Sequence, residues 1–376
     1  MKQFFKYVLA TVVGLMLFSF LGFIFLIGML VSASSDKAVT IDKNSVLELK
    51  LDKQISERAE RDPFTEFGIP VGPFRKSNLG LQEIKDAIRH AKTDDNIRGI
   101  YLDFSRVQAG MATLEEIRTA LLDFKETGKF VVAYHDMCSE KSYYLTSVAD
   151  KIYLNPAGTL ELNGLSSEVF FFKNMLAKLD IEPVIFKVGE FKSAVEPFML
   201  EKMSEPSREQ TTAFLNSLNG FLLEKIAESR KIPLERLRTI SDSMLVHNAD
   251  DALKFNLVTD LGYEDEALDY MKGLADTELD KELKLIEFAN YSKVVDTSEQ
   301  GSSRNRIAVI YATGDIVDGD GDNTSIGGDR FAKAIRKARL DDKVKAVVLR
   351  INSPGGSALA SDVIWREVVQ TRKVKP

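Results

Sequence analysis

Two stretches of the sequence hold residue types that could do chemistry. The first is Lys187-Val-Gly-Glu-Phe-Lys-Ser-Ala-Val-Glu-Pro-Phe198. The apolar run Pro183-Val184-Ile185-Phe186 reads as a short buried strand; Gly189 breaks it, and Pro197 blocks a long regular helix beyond Ser193. Lys192 is therefore expected half-buried, where strand gives way to irregular chain between two apolar segments. Burial among apolar side chains lowers an ammonium pKa by up to about 3–5 units, which can turn a lysine into a general base near neutral pH. The alternative is a lysine whose stem lies along apolar surface while its head reaches water.

The second stretch is Asn352-Ser-Pro-Gly-Gly-Ser357, after a strand over Val347–Ile351 and before a helix around 362–369. Adjacent glycines, Gly355 and Gly356, let a substrate approach the backbone closely. N–H groups exposed at such a bend can hold the oxyanion of an acyl-transfer intermediate, an effect typically worth about 2.7–4 kcal/mol per donor. The alternative is a plain Gly-rich turn.

Composition narrows the remaining chemistry. With 376 residues, 44% of them hydrophobic, the chain is long enough for two or three globular domains. A net charge of −6 and a pI near 5.4 argue against a nucleic-acid partner. Cys138 is the single cysteine, so no intrachain disulfide forms. His90, His135 and His247 are scattered without metal-ligand spacing, so neither a metal nor a cofactor is expected. The run Asp315–Asp322, with Gly319 and Gly321, lacks the glutamate that ends an EF-hand loop and reads as a solvated turn.

The elements that must position these stretches follow from periodicity. Residues 8–31 form an uncharged apolar segment of about 36 Å as a helix, enough to cross a bilayer of about 30 Å. Lys2 and Lys6 precede it and no basic cluster follows, which keeps the N-terminus in the cytoplasm and exports the rest. An uncleaved signal anchor fits its length; the alternative is removal near Val31-Ser32-Ala33. Beyond it, strands at 45–51, 97–104, 129–134 and 151–154 alternate with helices at 81–91, 113–127 and 142–149, which predicts a largely parallel sheet. Residues 60–79, rich in Pro, Gly and Phe, read as an exposed connection, with Phe64, Phe67 and Phe74 expected to line a peptide groove or touch lipid. An apolar helix is expected within 166–181, with Phe170–Phe172 more naturally packed in a core or oligomer contact. A long helix is expected over 207–230 and a broken one over 232–254, with a turn at 257–262 before another helix. Residues 293–305 have linker composition, and Ile307–Tyr311 is a strand.

The chain also repeats itself. Ile88-Arg-His-Ala-Lys-Thr-Asp-Asp-Asn-Ile-Arg-Gly-Ile-Tyr-Leu102 aligns with Ile335-Arg-Lys-Ala-Arg-Leu-Asp-Asp-Lys-Val-Lys-Ala-Val-Val-Leu349, and 335 less 88 gives an offset of 247 throughout. Four regions result: 1–44 with the anchor, 45–292 as a first repeat with Lys192, 293–305 as linker, and 306–376 as the start of a second repeat.

The Lys192 motif followed by Asn352–Ser357, in that order, resembles the signal peptide peptidase A family in its long, two-repeat form, and the resemblance covers the whole chain. It implies an α/β, Clp-protease/crotonase-like fold, here a tandem repeat with its second copy incomplete, preceded by one transmembrane helix. It implies a membrane-bound serine protease of the cytoplasmic membrane that degrades cleaved, hydrophobic signal peptides and assembles as a homotetramer. Its dyad is a serine in the second repeat and a lysine base in the first. Lys192 matches the base, and Gly355 and Gly356 match the turn bordering the oxyanion hole. The family's serine lies in an Ala-Ser-Gly-Gly-Tyr-Tyr-like segment, whose first-repeat counterpart here is Cys138-Ser-Glu-Lys-Ser-Tyr-Tyr144 with Glu140 at the serine's place. Adding the repeat offset to Glu140 puts the serine near position 387, roughly ten residues past Pro376. The sequence is therefore expected to be a C-terminally truncated piece that keeps the base, lacks the nucleophile and is inactive alone; neither Ser193 nor Ser357 takes that role. The competing expectations are an inactive anchored scaffold or subunit, an acyl-CoA enzyme of crotonase-like fold, and a hydrolase built on Cys138 and His135.

Overall fold

The computed structural model describes residues 2–33, 40–59, 78–298 and 303–376. They form two compact units, Met1–Val295 and Asp296–Pro376. The first unit opens with helix α1 (Lys2–Ala33), in which Gln3–Phe25 is long and apolar enough to cross a bilayer and is not buried against the chain. The connection expected at 60–79 lies outside the described residues up to position 77.

The strands of this unit are β1 (Ser45–Leu49), the short β2 (Ile55–Ser56) and β3 (Leu79–Gly80), β4 (Ile97–Asp103), β5 (Phe130–Cys138), β6 (Lys151–Leu160), β7 (Asp260–Leu261) and β8 (Leu285–Glu287). Six of them make one sheet in the order β7-β6-β5-β4-β1-β8, every pair parallel. Helices α2 (Leu81–Thr93), α3 (Met111–Lys125) and α4 (Glu140–Thr146) connect the central strands, as parallel pairing requires. The remaining helices are α5 (Lys173–Lys178), α6 (Glu196–Met199), α7 (Glu205–Arg230), α8 (Leu234–Asp242), α9 (Ala249–Lys254), α10 (Glu264–Leu274) and α11 (Phe288–Ser298).

Side chains alternate across each strand, so the sheet feeds two cores. Val46, Tyr101, Val132, Tyr134 and Tyr153 pack with Ala267, Met271 and Ala275 on one face. On the other, Leu47, Ile100, Leu102, Val131 and Ile152 join Ile84, Ile88, Ile117, Leu121 and Ile226 in a larger cluster. Within that cluster the buried Arg118 guanidinium ties α3 to α4 and α7. It donates to the Tyr144 carbonyl at 2.8 Å, Ser147 Oγ at 2.9 Å, the Lys225 carbonyl at 2.6 Å and Ser229 Oγ at 2.5 Å.

Three local expectations fail outside the lysine segment. The turn expected at 257–262 contains the edge strand β7, which pairs with Tyr153–Leu154 of β6. Helix α11 runs to Ser298, so residues 293–298 of the expected linker are helical: Tyr291 and Val295 are buried on one stripe of it and hold it to the core. The apolar helix expected within 166–181 is reduced to α5. Its run Val169-Phe-Phe-Phe172 combines β-branched and aromatic residues of modest helix propensity, and Val169, Phe170 and Phe172 are exposed on the single chain, outside its core.

The second unit consists of β9 (Arg306–Thr313), β10 (Asp315–Val317), β11 (Ser325–Gly327), α12 (Gly328–Leu340), β12 (Val344–Asn352) and α13 (Ala358–Arg372). β12 pairs parallel with β9, and β10 with β11. This repeats the order β1-β2-β3-α2-β4-α3, and β1 pairs with β4 and β2 with β3, also parallel. Helices α12 and α13 have the lengths of α2 and α3, and their starts at 328 and 358 each lie 247 residues after 81 and 111.

Candidate functional site

Lys192 sits in a segment that leaves the sheet after β6 and rejoins the core through α7. The expected strand Pro183–Phe186 is absent. A strand needs a neighbour for its N–H and C=O groups, and none of the six sheet strands pairs with this run. Its side chains are not buried either: Val184 is 81% exposed and Phe186 92%. Gly189, at φ +90°, turns the chain, and Lys192 then precedes a single turn of 3₁₀ helix, Ser193–Val195, that runs into α6. Lys192 is exposed. The half-burial expected from its apolar neighbours is not met, because Phe191 and Phe198 beside it are themselves exposed, and the Phe198 ring lies against Phe172.

What holds this segment is a residue that periodicity does not single out. Glu196, four residues past Lys192, is 1% exposed. Its Oε1 accepts from Lys187 Nζ at 3.0 Å and from Ser204 Oγ at 2.7 Å, and its Oε2 accepts from the Ser204 backbone N–H at 3.2 Å. The Ser204 hydroxyl, and after it the Lys187 ammonium, hold the Glu196 carboxyl below the usual carboxylate range. Ser204 is also the N-cap of α7, its Oγ accepting from the Ser207 N–H at 3.3 Å. The Phe172 N–H donates to the Pro197 carbonyl at 2.7 Å, and the Phe172 and Phe198 rings stack at 6.0 Å. The sequence signal for Glu196 was its place inside the motif; Ser204-Glu-Pro206 marked the helix start it reaches.

In the second unit, the turn after β12 bends through Gly355 (φ +112°) and Gly356 (φ +152°), both in backbone regions that side chains rarely adopt. The Ile316 N–H donates to the Gly355 carbonyl at 2.9 Å, and the Ser357 N–H to the Ile316 carbonyl at 2.8 Å, which fastens the turn to β10. A Cβ at Gly356 would stand 2.1 Å from the Ile316 oxygen, so only glycine fits there. The Gly355 N–H donates to Ser353 Oγ at 3.1 Å. Ser357 caps α13, accepting from the Ala360 N–H at 3.2 Å and donating to Asp318 Oδ1 at 2.5 Å. That cap starts the helix at Ala358, several residues before the expected 362.

Glu140 opens α4 and accepts from the Gly164 N–H at 3.1 Å; burial pushes its carboxyl up. The geometry weighs against a hydrolase on Cys138 and His135. His135 is buried, its Nδ1 2.8 Å from the Phe104 carbonyl and its Nε2 3.0 Å from Thr146 Oγ1. Burial lowers its pKa to about 4 and pushes the Cys138 thiol up. Among the described residues no three His, Cys, Asp or Glu side chains come together as a metal site would need.

Comparison with known proteins adds the family. Residues 123–278, which include the whole Lys192 segment, match Peptidase family S49. The chain is 35% identical over 374 residues to Protease 4 of Haemophilus influenzae, across 94% of this chain and 60% of that protein. It is 38% identical to Protease 4 of Salmonella typhi, across 79% of this chain and 49% of that one. To the chloroplastic serine protease SPPA of Arabidopsis thaliana it is 30% identical, across 89% and 48%. The chain thus spans about half to three-fifths of the length of these relatives. Residues 123–278 thus carry a match to peptidase family S49, and most of the chain is similar to the Protease 4 and SPPA serine proteases.

Proposed function

We propose that the whole protein is a membrane-anchored serine endopeptidase that degrades cleaved signal peptides with a serine–lysine dyad. The observation that carries this is the S49 match over 123–278, with the Lys192 motif inside it. Lys192 is the general base. Its amine takes the proton of a serine that stands, in repeat register, where the first repeat has Glu140. The serine oxygen attacks the scissile carbonyl, and the Gly355–Gly356 turn borders the site of the resulting oxyanion. Collapse of that oxyanion breaks the C–N bond as the Lys192 ammonium gives its proton to the leaving amine. Water, deprotonated by the freed Lys192 amine, then hydrolyses the acyl-enzyme and restores the serine hydroxyl. The matching order and spacing of elements in the two units support a tandem repeat of Clp-protease/crotonase-like type.

A lysine acts as base only when unprotonated, which calls for apolar cover or a cationic neighbour. Lys192 is exposed, so the assembled protein supplies that cover; association as a homotetramer is the form we assign to it. The exposed Val184, Phe186, Val188 and Phe191 present apolar surface for it and for apolar peptides. Helix α1 anchors the protein in the cytoplasmic membrane, with Lys2 and Lys6 on the cytoplasmic side and the bulk of the chain outside.

The test is labelling by a serine-directed fluorophosphonate probe. The full-length protein is expected to label at one serine, and its Lys192→Ala variant to lose that labelling. Equal labelling of both would remove Lys192 from the dyad.

A further inference from the structure

Lys192 stands in the least regular part of the first unit. Residues 179–192 contain neither helix nor strand, and most of their side chains are exposed. A reacting amine on free chain would be spread over many positions, and misplacement by about 1 Å can cost on the order of 10²-fold in rate. Something must fix the backbone at Lys192: the Phe172 N–H bond to the Pro197 carbonyl ties the chain across it, and the Glu196 carboxylate is a buried side-chain group bonded to residues on both sides of it.

Glu196 reaches back past Lys192 to Lys187 and forward to Ser204, where the 26-residue helix α7 begins. Lys192 is thereby enclosed in a short loop whose two ends meet on one carboxylate, and that carboxylate is fixed to the N-terminus of the longest helix packed on the sheet core. The bonds differ in exposure. The Glu196 side chain is 2% exposed and the Lys187 side chain 22%, so the acceptor is buried while its cation reaches solvent. A buried carboxylate is costly unless fully paired, and removing a partner exposes that cost. Such a group is poorly explained as a source of stability alone and well explained as a device that fixes geometry.

We propose that Glu196 is a positioning residue for Lys192: its carboxylate, held between Lys187 and Ser204, closes the lysine loop and fixes where the amine is presented. This rests on Lys192 being the base. Glu196 touches neither substrate nor nucleophile in this role; it acts through the loop.

The experiment measures kcat and KM of the full-length protein, per folded molecule, on a fluorogenic apolar peptide. The variants are Lys192→Ala, Glu196→Gln and Lys187→Met. Glu196→Gln keeps the shape but loses the charge and one acceptor. It is expected to lower kcat by about 10- to 100-fold with KM within about twofold, because placement of the amine is lost and the peptide surface is not. Lys187→Met, which removes only the half-exposed partner, is expected to lower kcat by a smaller factor, about three- to tenfold, again at unchanged KM. If Lys192→Ala is inactive while Glu196→Gln keeps wild-type kcat, the positioning role is overturned and the base survives. If Lys192→Ala keeps its turnover, the base itself fails and the positioning role with it. Should Glu196→Gln fail to fold, Lys187→Met decides: wild-type kcat overturns the proposal, and a kcat-only loss upholds it.

Discussion

At the scale of single residues, His135 shows how burial assigns a role. Both ring nitrogens are bonded inside the core, to the Phe104 carbonyl and to Thr146, and burial lowers its pKa from 6.5 to about 4. The folded protein therefore keeps this imidazole neutral while the unfolded chain protonates it. Stability from this group is present above the unfolded pKa of 6.5 and is lost as pH falls towards 4. The loss amounts to about 3 kcal/mol at most. Denaturation midpoints between pH 7 and pH 4 are expected to fall less steeply for His135→Gln than for the wild type; parallel slopes would remove His135 from the acid response. In Lys192 the same local logic misled. Its apolar neighbours suggested a pocket, yet Phe186, Phe191 and Phe198 lie open, because apolar sequence around a residue does not say which surface closes over it. Glu196 was hidden for a related reason: its partners Lys187 and Ser204 stand at no helical or strand spacing from it.

Among the elements, legibility followed pairing. The strands read at 97–104, 129–134 and 151–154 lie on β4, β5 and β6, because each alternates or runs apolar between clear breaks and has neighbours on both sides of the sheet. The long helix read over 207–230 is α7, whose start moves to Glu205 through the Ser204 cap. Pro183–Phe186 was equally apolar and has no partner among the six sheet strands, so it forms no strand and is not buried. The contact joining these helices was also invisible beforehand: Arg118 lies on α3, while its four acceptors lie on or beside α4 and α7. Arg118→Met is expected to destabilise the protein by about 3–5 kcal/mol, since it leaves carbonyls unbonded inside the core. Arg118→Lys recovers only part, because one ammonium cannot reach all four acceptors. Chemical denaturation checks the order wild type, Lys, Met; a Met variant as stable as the wild type would show the guanidinium to be passive.

For the whole molecule, composition argued against nucleic-acid partners, and the apolar segment read at 8–31 lies on α1, in which Gln3–Phe25 is long and apolar enough to cross a bilayer. The order of elements in the second unit, with the same 247-residue spacing, agrees with the repeat read from Ile88 and Ile335. Of the two motifs, Lys192 lies in the first compact unit and Gly355–Gly356 in the second. The central claim is that the Lys192 amine drives peptide hydrolysis. It is tested most directly by kcat/KM of Lys192→Ala in the full-length protein on an apolar peptide. A fall of about 10²–10⁴-fold with the fold intact is the predicted result; turnover close to wild type would contradict it.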